Sequence, residues 1–128
     1  MKMGNIELST LTKELINYIN VITERFAEAK ETGVAGDFFL EVKPFADEVK
    51  GVNDQWKKEA GKWVIQNKPK NLYSQQIDSV HEHIETISVQ AFFPQTSRAR
   101  FNHLVVSSNY VLNYLLQILL EEMGPPTT

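Results

Sequence analysis

Residues 101–120 read FNHLVVSSNYVLNYLLQILL, a run without Asp, Glu, Lys or Arg. Phe101, Leu104, Val105, Ser108, Val111, Leu112, Leu115, Ile118 and Leu119 recur at steps of three and four. A helix winds such positions onto one broad apolar face. Asn102, Asn109, Asn113, Gln117 and Glu121 fall on the opposite face, and Tyr110 and Tyr114 border the two. With His103, Ser107 and Ser108 added, these polar groups are too many for a helix that spans a bilayer. A face this wide is instead expected to touch two neighbouring helices. The helix is expected over 97–123, stopped by Gly124, Pro125 and Pro126.

Three more helical patterns precede that run in the chain. Tyr73, Ile77, Val80, Ile84, Ile87 and Ala91 form a stripe over 74–92, ended by Pro94. Phe45, Val49, Val52, Trp56, Ala60, Trp63 and Asn67 form another within 37–67, with Asp37 as N-cap. Lys43 precedes Pro44, which disfavours helix at Lys43 and predicts a kink or break there. Gly61, between the tryptophans, is a place for a neighbouring helix to approach. Leu8, Leu11, Leu15, Tyr18, Ile22, Phe26 and Ala29 give the first helix, over 9–31, with Ser9 or Thr10 as its cap and Gly33 and Gly36 beyond its end. No run of strand period competes. The expected fold is all-α: a four-helix bundle of up-down-up-down topology, with 1–128 as one domain.

Composition agrees. The chain has 128 residues, 42% hydrophobic and 23% charged, enough for a packed core and too apolar for wholesale disorder. There is no cysteine, which removes disulfides, thiolate zinc sites and cysteine nucleophiles. It also suits a reducing cytoplasm, the expected location. The opening MKMGNIELSTLTKE lacks the apolar core of a secretory leader. A net charge of −3 speaks against general nucleic-acid or anionic-membrane binding.

Four groups of residues are candidates for chemistry or binding. Asp78 and His81 stand three apart on the third helix, a spacing by which bundle metal sites aim a carboxylate and an imidazole together. Glu82, His83 and Glu85 lie beside them, and His103, Glu24 and Glu28 are the residues available to complete such a site. The second carboxylate–histidine pair of a di-metal centre is missing, so solvated histidines are the plainer reading and no metal or cofactor is expected. Trp56, Trp63 and Phe38, with Tyr110 and Tyr114, are candidates for an interaction surface, although the indoles stand at core spacing. Ser97, Arg98 and Arg100 open the fourth helix, where free N–H groups and guanidinium groups suit an anion, although capping alone explains the hydroxyl. The stretch Lys57–Lys70 holds five lysines against Glu59 alone, a candidate anion or nucleic-acid surface that also reads as a solvated helix face.

Asp37-Phe38-Phe39, Lys43-Pro44, Trp56, Ala60, Pro69-Lys70, Tyr73, Gln76-Ile77 and Gln90, in that order and spacing, resemble the YppE-like proteins of Bacillus-type bacteria. The resemblance covers about residues 10–120. It implies a cytosolic four-helix bundle and brings no established catalytic residue, cofactor or partner. Chemistry-bearing constellations are missing while apolar and aromatic side chains exceed a single stripe on the first and fourth helices, so the chain is expected to be a non-enzymatic interaction module that binds another protein or itself. A metal-binding bundle is the first alternative, and an anion or nucleic-acid binder is the second.

Overall fold

The computed structural model describes residues 3–122. It contains α1 (Met3–Thr32), a π-helical turn (Phe38–Val42), α2 (Lys43–Asn67), α3 (Ser74–Gln90) and α4 (Arg98–Glu122). Short connections make successive helices neighbours, α4 closes against α1, and α1 and α3 also meet across the diagonal. The result is the expected up-down-up-down bundle. The expected stop at Gly124–Pro126, and Met123 before it, lie outside the described residues.

The apolar stripes do converge. Leu15, Ile19 and Ile22 of α1, Val49, Trp56 and Ala60 of α2, Ile77, Ile84 and Ile87 of α3, and Phe101, Leu112, Leu115 and Leu119 of α4 form one core cluster. Phe26 stacks on Phe101 with ring centroids 4.0 Å apart, joining α1 to α4. The helix ends are tied by polar bonds as well. Asn5 Nδ2 donates to Glu122 Oε2 at 2.9 Å, and the Tyr114 hydroxyl donates to the Lys70 carbonyl at 2.7 Å. α4 is long and apolar enough by composition to cross a membrane. Here its buried residues Phe101, Ser108, Val111, Leu112, Leu115 and Leu119 serve the packing of the bundle.

Several sequence expectations need correction. α1 begins well before Ser9, because Asn5 and Leu8 are already buried against the bundle. Ser9 and Thr10 do not cap it: both hydroxyls donate back to the Ile6 carbonyl, at 2.8 and 3.0 Å. The stripe of α1, which Ile16 and Ile19 widen, packs as expected, with Ile19 fully buried and Tyr18 half-buried against the core. At Pro44 the chain stays helical. Lys43 has φ −63° and ψ −48°, and its N–H still bonds the Phe38 carbonyl. Pro44 stands at the junction of the π-helical turn with α2, where its missing N–H leaves a gap in the hydrogen-bond ladder without breaking the helix.

Glycine roles also differ from expectation. A Cβ on Gly61 would meet nothing within 4 Å, so no helix approaches there. The close approach is at Gly36, where a Cβ would lie 2.8 Å from Phe92 Cδ1 and 3.0 Å from Phe92 Cβ. Gly36 N–H also donates to the Phe92 carbonyl at 2.8 Å, pinning the α1–α2 connection to the end of α3. Gly61→Ala is therefore expected to stabilise the chain by up to about 1 kcal/mol. Gly36→Ala should destabilise it by about 1–3 kcal/mol, through crowding of a buried ring. Chemical denaturation of the two variants checks both signs.

Candidate functional site

The pinned connection leads into a short helical turn with an uncommon backbone. Asp37 is its N-cap, with Oδ1 accepting the N–H groups of Phe39 and Leu40 at 3.0 and 2.8 Å. Val42 N–H then reaches the Asp37 carbonyl at 3.0 Å and Lys43 N–H reaches that of Phe38, a five-residue π register. Only Val42 turns inward, at 1% exposure. Phe38, Phe39 and Leu40 stand out at 53%, 76% and 80% exposure, and Val34 on the same connection is 64% exposed. The two phenyl rings meet edge to face, with centroids 5.1 Å apart. Arg25 braces the turn from below. Its guanidinium lies over the Phe92 ring at 4.8 Å and bonds Glu41 at 3.3 Å. The outcome is an apolar projection on an ordered base, with Asp37 and Glu41 of the same turn exposed.

A polar cluster lies elsewhere, between α2 and α3. Asn53, wholly buried, donates Nδ2 to the His81 carbonyl at 2.9 Å and so sets the register of the two helices. That places the next residue, Asp54, with Oδ1 at 2.7 Å from His81 Nε2. Glu85, one turn along α3, brings Oε1 to 3.2 Å from the same nitrogen. Lys50 Nζ bonds the other Asp54 oxygen at 3.0 Å. The His81 and Lys50 donors hold the Asp54 carboxyl below the usual carboxylate range, and Asp54 in turn raises the Lys50 ammonium.

A groove of about 700 Å³ separates α3 from α4, lined by Tyr73, Val80, His83, Val106 and Tyr110 among others. His83 is half-buried there, and burial, followed by the nearby His103, lowers its pKa from the ordinary 6.5. The sign follows from which state binds the proton more readily. The unfolded chain protonates His83 first, so stability falls as pH drops below about 6.5 and toward the folded-state value. His83→Gln is expected to lose less stability than the natural chain between about pH 8 and pH 5. The His83 Cε1 proton should titrate below the ordinary range in NMR; a midpoint at or above it would remove the effect.

Comparison with known proteins adds the family. The model of a bacterial domain of unknown function, DUF1798, matches residues 12–119. The chain belongs to the DUF1798 family. It is 24% identical over 106 residues to the uncharacterized protein YppE of Bacillus subtilis, covering 83% of this chain and 86% of that one. The crystal structure of a Listeria innocua protein of unknown function superimposes with a TM-score of 0.93 at 23% identity, covering 98% of this chain and all of that one (100%). A DUF1798 domain from Staphylococcus aureus gives a TM-score of 0.82 at 24% identity, covering 88% and 96% of the two chains. The YppE-like resemblance of the sequence and the bundle fold are thus shown together.

Within this DUF1798 chain, the sequence-predicted residues disperse. Trp56 and Trp63 are 0% and 6% exposed, so the two indoles are core and offer no interaction surface. Phe38 and Tyr110 are exposed; Tyr114 is half-buried against the core with its hydroxyl engaged. His81 does enter a cluster, with Asp54 and Glu85 rather than with Asp78 and His103. Asp78 and His103 stand exposed outside it, Glu24 is exposed on α1, and Glu28 lies 3.9 Å from Arg25. Ser97 accepts the Arg100 N–H at 3.3 Å as a helix cap, with Arg98 and Arg100 exposed. Lys57, Lys58, Lys62, Lys68 and Lys70 are all exposed. Sequence reasoning missed Leu40 as surface, and Asp54 as a partner of His81. The signal for the first was present: three successive apolar residues at 100° per residue cannot all face one core.

Proposed function

We propose that this bundle acts by binding another protein, and that the projection of Val34, Phe38, Phe39 and Leu40 is the part that enters the partner. One observation supports the reading. Three adjacent large apolar side chains stand more than half in water on a turn in which the N–H groups of Phe39, Leu40, Glu41 and Val42 are all bonded to Asp37. Burying each in a partner would return roughly 1.5–3 kcal/mol. An ordered turn also loses little further entropy on docking. We place this encounter in the cytoplasm, and assign the chain no reaction of its own.

A photo-crosslinking phenylalanine analogue at position 39, in cells of the natural host, tests the reading. Ile65, 66% exposed on α2, is the control position. The expected result is one discrete adduct from position 39, absent from position 65 and weakened by Leu40→Asp. The same adducts from both positions, or none, would overturn it.

A further inference from the structure

We propose that Asp54, His81 and Glu85 form a binding site for one divalent transition-metal ion, with zinc the best match. The site is distinct from the apolar projection and independent of its role. Three ligand atoms converge: Asp54 Oδ1, His81 Nε2 and Glu85 Oε1 lie within 4.8 Å of one another. The two carboxylate oxygens approach a single nitrogen, at 2.7 and 3.2 Å. Nε2 carries at most one proton, and one proton makes one straight hydrogen bond, so the second carboxylate is served poorly. A dication in the proton's place bonds all three atoms and neutralises both carboxylates.

The spacing and the surroundings suit that exchange. Zinc binds nitrogen and oxygen at about 2.0–2.2 Å, which sets ligand atoms roughly 3.3 Å apart in a tetrahedron. The shorter pair, at 2.7 Å, opens by about half an ångström to reach this. Asp54 and Glu85 side chains, 47% and 46% exposed, have room to do so, while His81 at 12% stays fixed. Lys50 holds the far oxygen of Asp54 and orients the near one, a role that outer residues play around metals. The Asn53 bond to the His81 carbonyl keeps α2 and α3 in register beneath the ligands. One imidazole and two carboxylates leave a coordination position open for water, and the imidazole selects zinc over magnesium or calcium.

The test uses the full chain without a histidine tag, stripped of metal, titrated calorimetrically with zinc chloride and separately with magnesium chloride near neutral pH. One zinc ion per chain is expected, with no comparable magnesium heat. His81→Ala and Glu85→Gln should each weaken zinc binding by about tenfold or more. Excess zinc should raise the Tm of the natural chain and raise that of Glu85→Gln by clearly less. Unchanged helical circular dichroism in Glu85→Gln shows that the fold is intact, and His103→Ala should bind as the natural chain does. No saturable zinc binding, or binding undiminished in both ligand variants, would overturn the site and leave His81 an ion-pair partner only.

Discussion

Trp56→Ala is expected to cost about 3–5 kcal/mol, enough to unfold much of a marginally stable chain. Trp56 is fully buried at the centre of α2. Its indole is also a structural donor: Nε1 bonds Thr12 Oγ1 at 3.0 Å, and Thr12 passes a hydrogen bond to the Leu8 carbonyl at 2.7 Å. The link joins α1 and α2 through the dry interior, where Thr12 is itself 0% exposed. Trp56→Phe separates the two contributions. It keeps most of the aromatic volume and removes the donor, so a cost of about 1–3 kcal/mol is expected. Thr12→Val in that background should cost less than Thr12→Val alone, since the hydroxyl then has no indole to receive. Equilibrium unfolding in urea of the four chains gives the coupling, expected near 1 kcal/mol. Additive effects would show that the indole acts by volume alone.

The second large effect concerns binding, with folding left alone. Phe39→Ser combined with Leu40→Ser should change unfolding free energy by no more than about 0.5 kcal/mol, because both side chains stand in water. The same pair should weaken the crosslinked partner by about 100-fold or more, as expected for central apolar anchors. Titration of purified partner against both chains checks this. Val42→Ser is the contrasting change. Val42 is buried, so its loss belongs to stability, and the variant should unfold more readily. A double-serine chain that binds as well as the natural one would take the projection out of the interface.

Much of the bundle was legible because burial repeats at the helical pitch. Leu112, Leu115 and Leu119, or Ile77, Ile84 and Ile87, announce their core face by spacing alone. Gly33 likewise announces the end of α1: it takes φ +69° while its N–H bonds the Ala29 carbonyl at 2.8 Å. Local pattern failed where a long-range contact decided the outcome. Ser9 looks like a cap, but the helix continues past it because Asn5 and Leu8 find partners on the far side of the fold. The polar cluster was half legible. Histidine and glutamate four apart on α3 are visible in sequence, whereas Asp54 is 27 residues away from His81 and arrives only through the α2–α3 register. The π turn was hidden for a similar reason, since its extra residue is set by the pinning of Gly36 to Phe92 and by the inward pull of Val42.

An anchor of this kind docks only if the turn that carries it is built before any partner arrives. Amide hydrogen exchange of the free chain, read at Phe39, Leu40, Glu41 and Val42, tests it most directly. Each of these N–H groups has an acceptor on Asp37, so protection well above the rate of an open chain is predicted at all four. Exchange at the open-chain rate would mean that Phe39 and Leu40 ride on a loose segment and that no preformed anchor exists.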